Sequence, residues 1–229
     1  MTSVKGDPHP PLLYPDYRST RTRAPSRPLV DLAPSFTELS GPVLPEMRVG
    51  DADHDLTAQH DGEPLGERIV VHGRVRETNG RPLPGTMIEV WQCNAAGRYR
   101  HRNDRHPAPL DPNFTGVGRC LTDREGHFRF VTVKPGAYPW RNHPNAWRPA
   151  HIHFSIFGRA FTQRLVTQMY FPGDPLFGQD PIFNSVRDSA ARERMICRFD
   201  LEQTRPEWAL AYQFDVVLRG ADATPMEEH

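Results

Sequence analysis

From residue 67 onward, short segments rich in Val, Ile, Phe and Tyr alternate with turn-forming clusters, the pattern of strands separated by tight connections. The segments are Arg68 to Arg76, Met87 to Cys93, Gly118 to Thr122, His127 to Val133, His151 to Phe157, Arg164 to Tyr170 and Ala211 to Leu218. Between them stand NGRPLPG, TDREG and VKPG, whose Gly and Pro residues supply positive φ values and fixed turn geometry. Seven such strands predict an all-β chain folded as an antiparallel β-sandwich. One short helix is expected, Ser185 to Cys197, where Ser185 and Asp188 precede Ala190, Ala191, Met195 and Ile196 as a weak capping box. There is no internal repeat and no low-complexity tract.

Residues 1 to 60 break the pattern. They carry HPPLLYPDY and RAPSRPLVDLAP and sustain neither a 3.6-residue nor a 2-residue period, so an extended proline-rich arm is expected there. The arm has too little contiguous apolar sequence to fold alone. Leu12, Leu13, Tyr14, Tyr17, Leu29, Val30 and Leu32 nevertheless make it too apolar for a free tail. It is expected to lie along the sandwich of residues 61–229 or along a partner subunit.

Composition narrows the function. Lys+Arg and Asp+Glu are 28 each, and no basic block stands out, which disfavours electrostatic binding to nucleic acid or to a membrane surface. No apolar run reaches the length of a membrane span, and Met1 to Pro10 lacks a signal-peptide pattern, so a cytoplasmic protein is expected. The cysteines Cys93, Cys120 and Cys197 are odd in number and far apart, which speaks against a disulfide framework and for reduced core residues. The 24 prolines exclude a fold dominated by long helices. There is no GxSxG elbow for a hydrolase and no P-loop for a nucleotide.

The sharpest chemical feature is RPAHIHF, residues 148–154. On a strand, residues two apart project from the same face about 6–7 Å from each other, so His151 and His153 could bind one metal ion. Two ordinary hydrogen-bonded histidines are the competing reading. Two imidazoles alone leave a first-row metal short of ligands. Tyr99 in AGRYRHRND and Tyr138 in KPGAYPWRN offer phenolate oxygens, hard anionic donors that suit Fe³⁺ better than zinc. Each tyrosine, taken alone, equally suits a ring packed on the sandwich with its hydroxyl on a backbone partner. The DADHDL stretch, with Asp51, Asp53, His54 and Asp55, is expected to be a solvated acidic loop and not a second metal site.

The segments WQCNAAGRYRHRNDRHPAPLDPNFTGVGRCLTD, KPGAYPWRNHPNAWRPAHIHF, TQMYFPGDPL and AYQFDVVLRG, in this order, closely resemble the intradiol ring-cleavage dioxygenases. Within that family they resemble the iron-bearing β subunits that act on protocatechuate. The likeness continues into HDLTAQHDGEPLGERIVVHGRV and the arm segment YPDYRSTRTRAPSRPLV, so it covers nearly the whole chain. It implies that Tyr99, Tyr138, His151 and His153 are the four protein ligands of a non-haem Fe(III), with a solvent hydroxide beside them. It implies further that Tyr138 leaves the metal and accepts a proton as the aromatic o-diol binds, and that O₂ then opens the ring. Arg148 matches an arginine near the substrate-derived intermediate, where a fixed cation would stabilise developing negative charge. Gln168 and Tyr170 match residues near the ligands, Trp140 and Ile182 match the pocket wall, and Tyr17 matches an arm residue near the substrate. The implied reaction converts protocatechuate to 3-carboxy-cis,cis-muconate in aromatic catabolism. The implied partner is an α subunit, in an oligomer of αβ pairs.

Cleavage of catechol or hydroxyquinol is the alternative within this chemistry. Those relatives carry a helical N-terminal region, and nothing before residue 60 has a helix's period. A noncatalytic binding sandwich is the alternative outside it. Three positions depart from the family pattern: Cys93, where alanine is expected, and His106 and His143, in the two tyrosine segments.

Overall fold

The computed structural model describes residues 7–30, 49–144, 147–157 and 164–227. Part of the expected arm, residues 31–48, lies outside the described residues. Eleven strands are formed among those described: β1 (Arg68–Arg76), β2 (Met87–Trp91), β3 (Val117–Leu121), β4 (His127–Val133), β5 (Tyr138–Pro139), β6 (Trp147–Arg148), β7 (His151–Phe157), β8 (Arg164–Tyr170), β9 (Arg198–Phe199), β10 (Leu210–Gln213) and β11 (Val216–Val217). The four longest, β1, β4, β7 and β8, have the bounds expected from the sequence.

Two sheets face each other. One is antiparallel with the order β3-β2-β7-β8. In the other, β1 pairs antiparallel with β4 along one edge and parallel with β10 and then β11 along the opposite edge, while β9 lies outside β10. Phe154 of β7 joins them across the core, its ring 5.8 Å from Phe130, 6.0 Å from Phe128 and 5.1 Å from Phe214. Ile88, Val90, Ile152 and Ile156 from the first sheet meet Ile69, Val71 and Val75 from the second in the same cluster. Burial of these aliphatic and aromatic faces is the main force that closes the sandwich.

The expected final strand, Ala211 to Leu218, is interrupted at Phe214 and Asp215. There the Phe214 amide donates to the His72 carbonyl, and the Arg74 amide donates to the Asp215 carboxylate, so a side chain completes the ladder. The opposing residue must be glycine, because a Cβ on Gly73 would stand 1.8 Å from the Phe214 carbonyl oxygen.

The expected helix Ser185 to Cys197 is replaced by two single-turn helices, Pro181–Ser185 and Ser189–Glu193. Each starts at an aspartate. Asp180 accepts from the Ile182 amide and Asp188 from the Ala190 amide, so Asp188 begins a new helix and does not close a box with Ser185. Met195 and Cys197 then leave the helical path to bond the backbone of Tyr170. A further helical turn, Thr20–Arg23, lies in the arm, where the Thr20 hydroxyl donates to the Tyr14 and Tyr17 carbonyls.

Candidate active site

β7 is an interior strand of its sheet, and its register decides what surrounds the two histidines. His151 lies opposite Tyr170 of β8, and His153 lies between Gln168 of β8 and Trp91 of β2. Both imidazoles are buried, with ring centroids 4.9 Å apart. The Trp91 indole stacks on His153 at 4.8 Å and 6°. His151 Nδ1 lies 2.7 Å from the Pro149 carbonyl, and His153 Nδ1 lies 3.0 Å from Glu227 Oε2. A carbonyl or carboxylate only accepts, so each Nδ1 carries the hydrogen and each Nε2 presents its lone pair.

Both lone pairs meet a phenol. Tyr138 Oη is 3.3 Å from His151 Nε2, and Tyr99 Oη is 3.2 Å from His153 Nε2. The tyrosine rings meet edge to face at 5.4 Å. Tyr99 follows β2 in a loop organised by two side chains: Asn94 Oδ1 accepts from the Ala96 and Arg98 amides, and Asp104 Oδ2 accepts from the Tyr99 amide. Tyr138 lies in β5, directly across from Arg148 in β6. The two tyrosine loops touch through glycines. A Cβ on Gly97, whose φ is +78°, would lie 2.3 Å from the Ala137 carbonyl oxygen, and one on Gly136 would lie 2.4 Å from that of Ala95. The Cys93 thiol donates to the Gly136 carbonyl in the same seam.

Arg148 is the hub behind the four rings. Its buried guanidinium grips both oxygens of Asp180, at 3.2 and 2.9 Å, and donates to the Tyr170 hydroxyl and to Gln168 Oε1. Its Nη1 points forward to His151 Nε2 at 3.2 Å and to Tyr138 Oη at 3.5 Å. Burial alone would lower the Arg148 pKa, but the Asp180 carboxylate with Tyr138 and Tyr170 together outweighs it and holds the guanidinium charged. Burial pushes the Tyr99 phenol well above its ordinary value, with the neighbouring Tyr138 adding to the effect. Burial raises Tyr138 as well, partly opposed by Arg148. Burial, then Arg148 and His153, push His151 well below the usual histidine range. Glu227, despite burial, is held below the usual carboxylate range by His153 and Arg148. The protein alone thus keeps both phenols and His151 neutral; a cation among them would favour the phenolates.

A cavity of about 790 Å³ opens in front of this group, with Tyr99, Tyr138, His153, Trp91 and Trp140 on its wall. Tyr17 meets Trp140 edge to face at 5.3 Å and lies under the Arg23 guanidinium, so the arm is stacked against the wall. Among the other residues singled out from sequence, Arg148, Gln168, Tyr170 and Ile182 are buried behind the imidazoles and are not on that wall. His106 lines the cavity, and His143, beside Trp140, places its Nδ1 on the Pro144 carbonyl. The DADHDL stretch is turn scaffolding: Asp53 accepts from the Gly50 amide and Asp55 from the Thr57 amide. Among the described residues no group of three or more His, Cys, Asp and Glu is placed to hold a metal. All three cysteines are buried free thiols.

Four residues of this site escape a reading by motif. Asp180 carries a signal in hindsight, since Asp followed by Pro181 is a helix start. Asp104 and Trp91 lie inside conspicuous segments without any local pattern of their own. Glu227 carries no signal at all, because it is brought to His153 from 74 residues away.

Comparison with known proteins identifies the family. Residues 39–220 match the family model Dioxygenase, and residues 5–35 match the model Protocatechuate 3,4-dioxygenase beta subunit N terminal. The protocatechuate 3,4-dioxygenase beta chain of Burkholderia cepacia is 60% identical over 221 residues, 96% of this chain and 94% of that one. A hydroxyquinol 1,2-dioxygenase of Rhizobium sp. (strain MTP-10005) is 34% identical over 131 residues, 52% of this chain and 42% of that protein. The crystal structure of 3-chlorocatechol 1,2-dioxygenase from Rhodococcus opacus 1CP superposes with a TM-score of 0.55 at 25% identity, covering 73% of this chain and 64% of that one. A sandwich carrying two imidazoles and two phenols at one point, with a protocatechuate 3,4-dioxygenase beta chain matching 96% of its length at 60% identity, belongs to the intradiol ring-cleavage dioxygenases, in the group of protocatechuate 3,4-dioxygenase β chains.

Proposed function

We propose that the chain is the iron-bearing β subunit of an enzyme that cleaves protocatechuate (3,4-dihydroxybenzoate) between its hydroxyl-bearing carbons, yielding 3-carboxy-cis,cis-muconate in the β-ketoadipate route of aromatic catabolism. The observation that carries this reading is the convergence of Tyr99 Oη, Tyr138 Oη, His151 Nε2 and His153 Nε2, with both Nδ1 atoms already engaged. Two hard oxygen donors and two imidazoles without a thiolate fit non-haem Fe(III). Bound there, the ferric ion would supply the Lewis acidity that makes a catecholate ring carbon reactive toward O₂.

The chain's own residues supply the rest. Tyr99, His151 and His153 would hold the metal. Tyr138 would be the fourth holder, and its phenolate oxygen would accept the proton of one substrate hydroxyl. The Arg148 guanidinium, 3.5 Å from Tyr138 Oη, steadies negative charge that develops on the bound substrate and orients both rings it touches. Gln168 and Tyr170 keep that guanidinium aimed forward. Ile182, whose amide caps onto Asp180, holds the carboxylate that anchors it. Trp140 forms the apolar side of the substrate space, with Tyr17 packed against it from the arm.

The cavity wall also favours an anionic diol over plain catechol. Arg100, Arg105 and Arg141 line it against a single carboxylate, Asp104, whose oxygens are taken by the Tyr99 and His106 amides. Residues 1–60 serve as an arm along the core and a partner. Leu13, Leu29 and Val30, all exposed, give that arm an apolar surface for an α subunit in an oligomer of αβ pairs. We place the enzyme in the cytoplasm.

The test is a visible absorption spectrum of the iron-loaded chain with its α partner, before and after protocatechuate is added without oxygen. A broad phenolate-to-Fe³⁺ band that shifts on addition is expected. Tyr99→Phe or His153→Ala should strip iron and activity, and full activity in either variant would overturn the ligand assignment.

A further inference from the structure

His151 and His153 are oriented by different means. The acceptor for His151 Nδ1 is the carbonyl of Pro149, two residues away and part of the same chain segment. The acceptor for His153 Nδ1 is the Glu227 carboxylate, delivered by a tail distant in sequence. Each partner of that pair is about one-tenth exposed, so the contact is largely shielded from water. The tail is pinned at the contact by two backbone amides. The Glu227 amide donates to the Val166 carbonyl of β8 at 2.7 Å, and the preceding Met226 amide donates to His9 Nδ1 of the arm at 3.2 Å. Met226 itself packs on the main core.

Two constraints therefore act on one imidazole. The Trp91 ring, parallel at 4.8 Å, fixes the plane of His153, and Glu227 fixes its rotation and tautomer within that plane. Carboxylate acceptors behind metal-bound histidines typically raise metal affinity by about 10–100-fold. We propose that Glu227 is a positioning residue of the metal centre, holding His153 with Nε2 toward Tyr99 and the cavity. The inference rests on the four-donor iron site proposed above and assigns Glu227 no contact with substrate.

The experiment compares the full-length chain with Glu227→Ala, Glu227→Gln and Glu227→Asp. Iron affinity is read by competition with a chelator, the phenolate-to-Fe³⁺ band by absorption, and the fold by thermal unfolding without iron. Glu227→Ala should weaken iron binding about 10–100-fold. Glu227→Gln retains an acceptor oxygen and should lose less than Glu227→Ala. Glu227→Asp keeps the charge but withdraws it by one methylene, so it should weaken iron binding and alter the band; this variant decides the matter if Glu227→Ala does not fold. Wild-type affinity and band in Glu227→Ala, or in Glu227→Asp where the alanine variant is unfolded, overturn the inference and leave the iron site standing. A wild-type chain that takes up no iron and shows no band overturns both.

Discussion

The two halves of the site are built differently. The histidines sit on β7, hydrogen-bonded along both edges to β2 and β8, where the ladder fixes every side-chain direction. The tyrosines sit on a loop and on the two-residue strand β5, where Asn94, Asp104 and glycine contacts between neighbouring turns replace the ladder. A strand cannot shift one residue without turning its side chains to the opposite face, whereas a capped loop adjusts locally. The difference suits the proposed function, in which Tyr138 would yield its place while the imidazoles stay.

The strongest way to break the distinction is to remove the group that touches both halves. Arg148→Ala leaves Asp180 buried without its cation and takes support from His151 and Tyr138 together, so a loss of about 3–5 kcal/mol is expected in urea denaturation. A loss below about 1 kcal/mol would mean that Arg148 is not the hub. Asp104→Ala should act on the tyrosine half alone. It strands the Tyr99 and His106 amides, with an expected loss of about 1–3 kcal/mol. Hydrogen exchange should then quicken in residues 94–106 while β7 stays protected, and equal loosening of β7 would erase the contrast.

The smallest effect at neutral pH concerns the thiols. Burial pushes Cys93 in the tyrosine seam, Cys120 in β3 and Cys197 just before β9 up to about 12 from an ordinary value of 9.0. The folded chain keeps protons that the unfolded chain releases, so this contribution to stability is complete below pH 9 and is lost as pH rises toward about 12. Alkaline titration followed by circular dichroism should show that decline, and it should diminish in a Cys93→Ala variant.

The long strands were legible because burial on one or both faces leaves a pattern in consecutive residues, as in His127–Val133 and His151–Phe157. The HxH pair was legible for the same reason, since a strand's two-residue period places His151 and His153 without further information. β5, β6 and β9 were not legible, because two residues cannot display a period. The helix after residue 180 was misread because Asp188 serves as a first cap, a role that local spacing does not separate from the third position of a capping box. Asp180 and Glu227 show the deeper limit. Their partners, Arg148 and His153, are chosen by tertiary packing across 32 and 74 residues.

The parallel pairing of β1 with β10 and β11 has a consequence for how the chain is made. Ile69 waits for Leu210, and Arg74 waits for the Asp215 side chain 141 residues later, so one whole edge of β1 remains open during most of synthesis. The antiparallel pairing with β4, available earlier, covers only the opposite edge. Nascent chains stalled before residue 210 should expose that edge as a template for unwanted strand addition, and Glu227 can reach His153 only after translation has passed it.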